Sequence, residues 1–561
     1  MSEETLWTRA YGDEYWADVT SPLFFSLLGE YLTEYVNHEG ARIMGYREIA
    51  DKDLLRLHKG HIYFSTEVLE YVFTLNPKFS RTKELLNYFP QKDQERVANA
   101  KTKIGRRIWA EIRIALLDPD GMITRTDKAH KKWAESFLAK MKHFDSLDLS
   151  KLIDEGLYVE FKDMENAFLK HYRLIRYGLV THSIGSNLIL KRWLADWLDD
   201  KSGILYSKLI SGLSDNKTIT TNTALVRPSK LGRQDPNVLR LLQQEESQRF
   251  VVEMQSNPLL RNFSTEFQGF ILEYGHRSHT REMFFPRWAE DPSLVVDVLK
   301  ALVSSPVADV EVLEKQKFED RIAAEKEVLR RISKLKFGLF KKVLFKTVLQ
   351  YAQTYLVFRE NQRFDLDHII YRQRRLFTEY GRRFKERGII DTVEDIHFLS
   401  KEEIFKISRN ELSIPKETIK QRRKEFQKYA ERLPPKFLKG DTEFDDTVVR
   451  DANILKITGT GSSPGIATGP VRVVHTINEL SGVREGEIMV TSNTDPGWTP
   501  VFPKLKGLVT ETGGILSHGA IVSREYNIPA VTAVTDATKI LKTGQKVTID
   551  GNDGVVTIIG G

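Results

Sequence analysis

Three groups of residues have types and spacings that could do chemistry. The first lies in TETGGILSHGAIVSREYNIPAV, from Thr510 to Val531. A strand should end at Val509, Gly513 and Gly514 permit a tight backbone turn, and Ser517-His518 fall where the next helix begins. Free helix amides there favour anions, and the positive end of the dipole lowers the proton affinity of an adjacent imidazole, keeping a nitrogen lone pair available for attack. A histidine that accepts a phosphoryl group needs that setting, although from the residues alone a histidine after two glycines is more often a cap or core residue. The second group, between Glu273 and Val295, places His276, Arg277, His279, Arg281 and Glu282 beside Phe284, Phe285 and Trp288. It reads either as an ordinary loop or as a phosphoryl-acceptor pocket. In the latter, arginines hold the anionic oxygens, aromatic rings wall the acceptor, and His276, with Glu282 and His279 in reserve, takes its proton. The third group is Arg359, Arg363 and Asp367, which recur every four residues and so share one helix face, as a surface ion ladder or as part of the same pocket.

Other chemistries are excluded by composition. The 561 residues contain no cysteine, which removes disulfides, thiolate nucleophiles and Cys-ligated zinc or iron–sulfur sites. No P-loop pattern and no recognisable ATP-grasp domain is present. No apolar run approaches the ~20 residues of a membrane span, and the acidic start lacks signal-peptide order, so a cytoplasmic protein with no membrane partner is expected. The net charge of +7 comes from the first 450 residues, which hold 75 basic and 67 acidic side chains against 9 and 10 in the rest. A nucleic-acid binder would need a basic stripe interleaved with aromatics; Lys420 to Lys439 is the one candidate, and its glutamates make it a solvated helix instead.

The elements that must position these groups divide into two kinds. Up to about residue 432, apolar residues recur at three- and four-residue spacing, predicting a large, mainly α-helical region, possibly of two subdomains. Asp309 to Lys336 is expected to be a charge-rich helix with Phe318, Ile322, Leu329 and Ile332 on its packed side. Residues 433–450, beginning with paired prolines in LPPKFLKGDTEFDD, read as a hinge. From 451 to 561, where 16 of the 35 glycines fall, short β-rich runs alternate with turns and a helix from His518 to Tyr526, predicting a compact α/β module.

The string T-x-G-G-x-x-S-H-x-A-I-x-x-R-E-x-x-I-P-A-V resembles the phosphohistidine swivelling domain of the phosphoenolpyruvate synthase, pyruvate phosphate dikinase and rifampin phosphotransferase superfamily. The likeness extends over the module, from Gly459–Val474 through GEIMVTSNTDPGWTPVF to GQKVTIDGNDGVVTI. It implies that His518 is phosphorylated, that Gly513, Gly514 and Ser517 shape its loop, and that Arg524 supports the phosphoryl group. The dikinases usually carry Met-Thr where this chain has Ile515-Leu516, so a threonine contact to the histidine is expected to be missing. EYGHRSHTREMFFPRWAEDPSLV and Tyr355–Ile370 are similar to the helical acceptor domain of the rifampin phosphotransferase-like proteins.

The resemblance implies a dikinase-type phosphotransferase in which ATP, with Mg2+ or Mn2+, is bound by an ATP-grasp unit. That unit is expected on a separate partner subunit, and no metal ligand set is expected here. With only thirty-two residues after Pro529, no phosphoenolpyruvate-binding barrel is expected. The arrangement is similar to the larger subunit of phenylphosphate synthase, which implies a phenol as the acceptor. An antibiotic or another alcohol, or a non-catalytic phosphohistidine carrier, are the alternatives.

Overall fold

A computed structural model describes the chain except residues 1–4, 13–15, 17, 304–309, 433, 446–455, 476, 495 and 561. It has a large helical N-terminal region and a C-terminal α/β sheet domain, and its chain falls into two compact units. The first unit combines residues 1–182, 280–285 and 365–446; the second combines 183–279, 286–364 and 447–561.

The first unit is not purely helical. It holds an antiparallel sheet of β1 (Leu6–Thr8), β2 (Leu55–His58), β3 (His61–Ser65), β4 (Phe437–Lys439) and β5 (Thr442–Phe444), in the order β2-β3-β1-β4-β5. The expected hinge is therefore corrected: residues 437–444 form a hairpin, with Trp7 opposite Leu438 in the register of β1 and β4. Leu438 is fully buried, which anchors the segment in the sheet. The rest of the expected hinge, 446–450, and the start of the C-terminal module at 451 lie outside the described residues.

The helices of the second unit follow from the apolar spacing. We label those around the site α1 (Lys217–Gln234), α2 (Val310–Ser333), α3 (Gly338–Glu386) and α4 (His518–Glu525). Helix α3 continues beyond residue 364 into the first unit. Of the stripe expected on α2, Ile332 is buried and Leu329 packs beside it, with Ala324 and Val328 completing the buried face, whereas Phe318 is exposed.

The C-terminal sheet holds β6 (Lys456–Thr458), β7 (Thr460–Ser463), β8 (Ile466–Val473), β9 (Ile488–Thr491), β10 (Gly507–Thr510), β11 (Ala530–Thr532), β12 (Lys546–Asp550) and β13 (Val555–Gly560). Their order is β6-β13-β12-β8-β9-β10-β11-β7. Strands β8, β9, β10 and β11 run parallel, and the outer pairs are antiparallel. The parallel centre reads as unbroken apolar text because it is covered on both faces. Val490, Val509 and Val531 sit in one core and Met489, Leu508 and Ala530 in another.

Candidate phosphoryl-transfer site

His518 is the first residue of α4, directly after β10. Gly513 has φ +90°, a conformation that favours glycine, and a Cβ there would come within 2.6 Å of the Ser517 side chain. Gly514 O accepts from Ser517 N at 2.9 Å, and Ser517 Oγ caps α4 by accepting from Ala520 N at 3.4 Å. The two glycines and the serine thus give the loop its shape. Leu516 and Ile521, on either side of the histidine, pack into an apolar cluster with Leu190, Leu194, Phe345 and Leu356, and Ile515 packs against it. Ile515-Leu516 therefore attaches the histidine loop to helices of the second unit, a task for which apolar side chains suit better than threonine.

The imidazole is buried between two partners. Its Nε2 lies 3.1 Å from Thr499 Oγ1, so a threonine contact is present after all, supplied from another part of the module. Its Nδ1 faces Glu360 Oε2 at 3.8 Å, longer than a hydrogen bond but close enough for charge to matter. Burial alone would raise the Glu360 carboxyl; His518, Arg363 and Arg359 outweigh it and hold the carboxyl at about 2. Thr218 Oγ1 on α1 donates to Glu360 Oε2 at 3.0 Å, and one turn further Thr221 Oγ1 accepts from Arg277 Nη1 at 2.9 Å. An ionised carboxylate facing Nδ1 favours the tautomer with the proton there, leaving the lone pair on Nε2.

The sequence-derived residues divide between the units. Arg359 and Arg363 flank Glu360 and are buried in the second unit. His276 and Arg277 gather around Phe364: the His276 ring meets it edge-on at 4.6 Å, and the Arg277 guanidinium lies 5.7 Å from its centre and 5.8 Å from that of Trp288. His279 is half-buried at the end of the same segment. Arg281 and Glu282, by contrast, belong to the first unit. Arg281 lies 5.8 Å from the Trp16 ring centre. The Glu282 carboxylate accepts from Ser21 N at 3.1 Å, Ser21 Oγ at 2.6 Å and Phe284 N at 3.0 Å. Glu282 is thereby corrected from reserve base to an anchor for the start of helix Pro22–Tyr31. Asp367 is also buried in the first unit, so the expected three-residue face is shared between units.

Arg524, near the end of α4, is buried, and burial lowers its proton affinity. Its Nη1 donates to Ser462 O at 2.8 Å, while Nη2 is buried without a hydrogen-bond partner among the described residues. Its charge acts on Glu360. One carboxylate facing a histidine and three arginines leaves no net negative charge for a divalent cation, and among the described residues no group of three or more His, Asp or Glu is arranged to hold one. The residues around His518 therefore do not fit a resident divalent cation.

Glu360 was not singled out from the sequence. It sits one residue from Arg359, about 100° around α3, outside the four-residue repeat that marks the arginines. The local signal for it was only a carboxylate between two arginines in an apolar helix.

The fold and this geometry define a class: an α/β domain that presents a histidine from a strand–glycine–helix turn to an arginine-rich helical face. Residues 177–360 match the family described as rifampicin phosphotransferase fourth domain, and residues 483–554 match the PEP-utilising enzyme mobile domain. A rifampicin phosphotransferase of Bacillus cereus is 27% identical over 374 residues, 65% of this chain and 42% of that protein. One from Streptomyces sviceus is 29% identical over 71% of this chain and 46% of its own length. A probable phosphoenolpyruvate synthase of Methanothermobacter thermautotrophicus is 43% identical over 112 residues, 20% of this chain and 16% of that protein. Two regions of the chain thus match family models of rifampicin phosphotransferases and PEP-utilising enzymes, and the chain spans less than half the length of these relatives.

Proposed function

We propose that this chain is the histidine-bearing, acceptor-binding part of a dikinase-type phosphotransferase. His518 takes a phosphoryl group from ATP at a nucleotide site on a separate ATP-grasp subunit and passes it to a small hydroxyl compound on the helical face. The observation that carries the reading is the buried placement of His518 Nδ1 against Glu360, with Arg359 and Arg363 beside it. A phosphoryl group on Nε2 would bring negative charge to arginines already in place.

In the transfer step the acceptor oxygen attacks phosphorus and the P–N bond breaks. The electron pair returns to Nε2, and the ring leaves as neutral imidazole because Glu360 has kept the proton on Nδ1. The hydroxyl proton passes to His276. Glu360 is a positioning and electrostatic group, since a carboxyl held at about 2 is a poor base. Charging from ATP requires the cytoplasm as the working compartment, and no helix of the described residues is long and apolar enough to cross a membrane.

For the acceptor, the expected phenol competes with an antibiotic hydroxyl, which the rifampicin phosphotransferases similar to this chain favour. The test is discharge of phosphorylated protein by phenol and by rifampicin, followed by 31P NMR. One of them should acquire the phosphoryl group, and His276→Ala or Arg359→Ala should slow only this step, by ~10²-fold for loss of a general base. Discharge of both variants at the wild-type rate would remove these residues from the acceptor site. Failure of every hydroxyl compound to discharge the protein would favour the non-catalytic carrier.

A further inference from the structure

The turn between α2 and α3 carries side chains that neither the fold nor the proposed transfer uses. Phe337 is 71% exposed, Leu339 78%, Phe340 67% and Val343 66%, and Leu344 beside them is also exposed. Phe337 has φ +60°, a left-handed conformation that a glycine would adopt without strain, yet its ring points to solvent. Core packing and turn chemistry therefore both fail to account for it. The opposite side of the same helix start is buried at Phe345 and Leu349, so these turns of α3 are amphipathic with a second apolar face directed outward.

Charge accompanies the apolar side chains. Lys334, Lys336, Lys341, Lys342 and Lys346 interleave with them, and no Asp or Glu occurs from Val328 to Arg359. The Lys336 ammonium lies 5.5 Å from the Phe337 ring centre, and that of Lys341 lies 5.1 Å from the Trp197 ring centre. Trp197 stacks on Trp193 at 4.7 Å and tilts against Phe345 at 6.4 Å, which places two half-buried indoles next to the lysines. Three carboxylates of the flanking helices already have cationic partners: Asp196 with Arg192 at 2.6 Å, Asp199 with Lys201 at 3.1 Å and Glu327 with Arg330 at 2.8 Å.

We infer that this turn is a docking surface for an anionic lipid bilayer. Projecting Phe and Leu side chains flanked by lysines, with tryptophans alongside, match the boundary between lipid headgroups and acyl chains. Lysines near such a surface are attracted to anionic headgroups, whereas the centre of a protein–protein contact is depleted of lysine. A nucleic acid would leave Leu339 and Val343 without a counterpart. The contact lies at the surface and needs no spanning helix. It runs against the expectation that the chain has no membrane partner, and it does not depend on the chemistry of His518.

The full chain is sedimented with phosphatidylcholine vesicles and with vesicles containing about one-third phosphatidylserine. It should pellet with the anionic vesicles and remain in solution with the neutral ones. Lys341→Glu with Lys342→Glu should weaken the binding by roughly fivefold or more per lysine. Leu339→Asp with Phe340→Asp should abolish it. All four side chains are wholly or partly exposed, so thermal unfolding of both variants should match the wild type. The inference is overturned if the wild type fails to pellet with anionic vesicles, pellets equally with neutral ones, or pellets equally after the substitutions. It is also overturned if the same turn instead mediates concentration-dependent dimers in light scattering that Leu339→Asp with Phe340→Asp dissociates.

Discussion

Glu360→Gln removes one charge from the site while preserving its shape. Glu360 Oε2 stands 3.8 Å from His518 Nδ1, and both side chains are almost fully buried. At an effective dielectric of ~20, two unit charges at that separation attract by about 4 kcal/mol. When Nε2 carries phosphorus and Nδ1 carries a proton, the ring is cationic and this attraction keeps the proton in place. At about 1.4 kcal/mol per tenfold, its loss slows discharge by roughly 10²- to 10³-fold, the lower figure allowing for relaxation around the glutamine. The assay charges the protein chemically with phosphoramidate and follows loss of phosphohistidine by 31P NMR after acceptor is added. Discharge of Glu360→Gln at the wild-type rate would refute the assignment. A second readout follows from linkage. The Glu360 carboxyl is held at about 2 in the folded chain, below its ordinary 4.5. Its contribution to stability is therefore complete above the ordinary value and disappears as pH falls through about 2. Denaturant melts of the wild type should lose stability across that interval by more than those of Glu360→Gln.

Thr499→Val removes the hydroxyl at Nε2. A net hydrogen bond of about 1 kcal/mol predicts a several-fold change in the rate of charging by phosphoramidate, with thermal unfolding little altered. Leu516→Ala with Ile521→Ala weakens the apolar attachment of the histidine loop, where large-to-small changes cost roughly 2–5 kcal/mol each. His518 should then react faster with phosphoramidate, because it is less buried, while discharge to acceptor slows. Both reactions slowing together would show that the attachment is part of the fold rather than one station of a moving domain.

What could be read from the sequence was local. The turn around His518 announces itself because Gly513 must adopt a conformation disfavoured for other residues and Ser517 caps the helix that follows at once. The helical region and the α/β module were legible from the spacing of apolar residues and from glycine content. The hairpin of β4 and β5 was hidden by paired prolines, although Lys439-Gly440-Asp441-Thr442 between alternating apolar residues is a turn signal of its own. Its pairing with β1, more than four hundred residues away, leaves no local trace. Thr499 and Glu360 were missed for the same reason: each meets the imidazole only through tertiary packing. The outward apolar side of α3 was invisible because its spacing equals that of a buried one, and only the structure shows which face is covered.

The central claim is that His518 is the phosphoryl carrier. The direct test charges the protein with ATP labelled in the β-phosphoryl group in the presence of the proposed ATP-grasp partner, then locates the label by peptide mapping under alkaline conditions. The account predicts one acid-labile, base-stable label on the peptide containing His518, absent from His518→Ala and from the chain incubated with ATP alone. Undiminished labelling of His518→Ala, or label on another peptide, would contradict it.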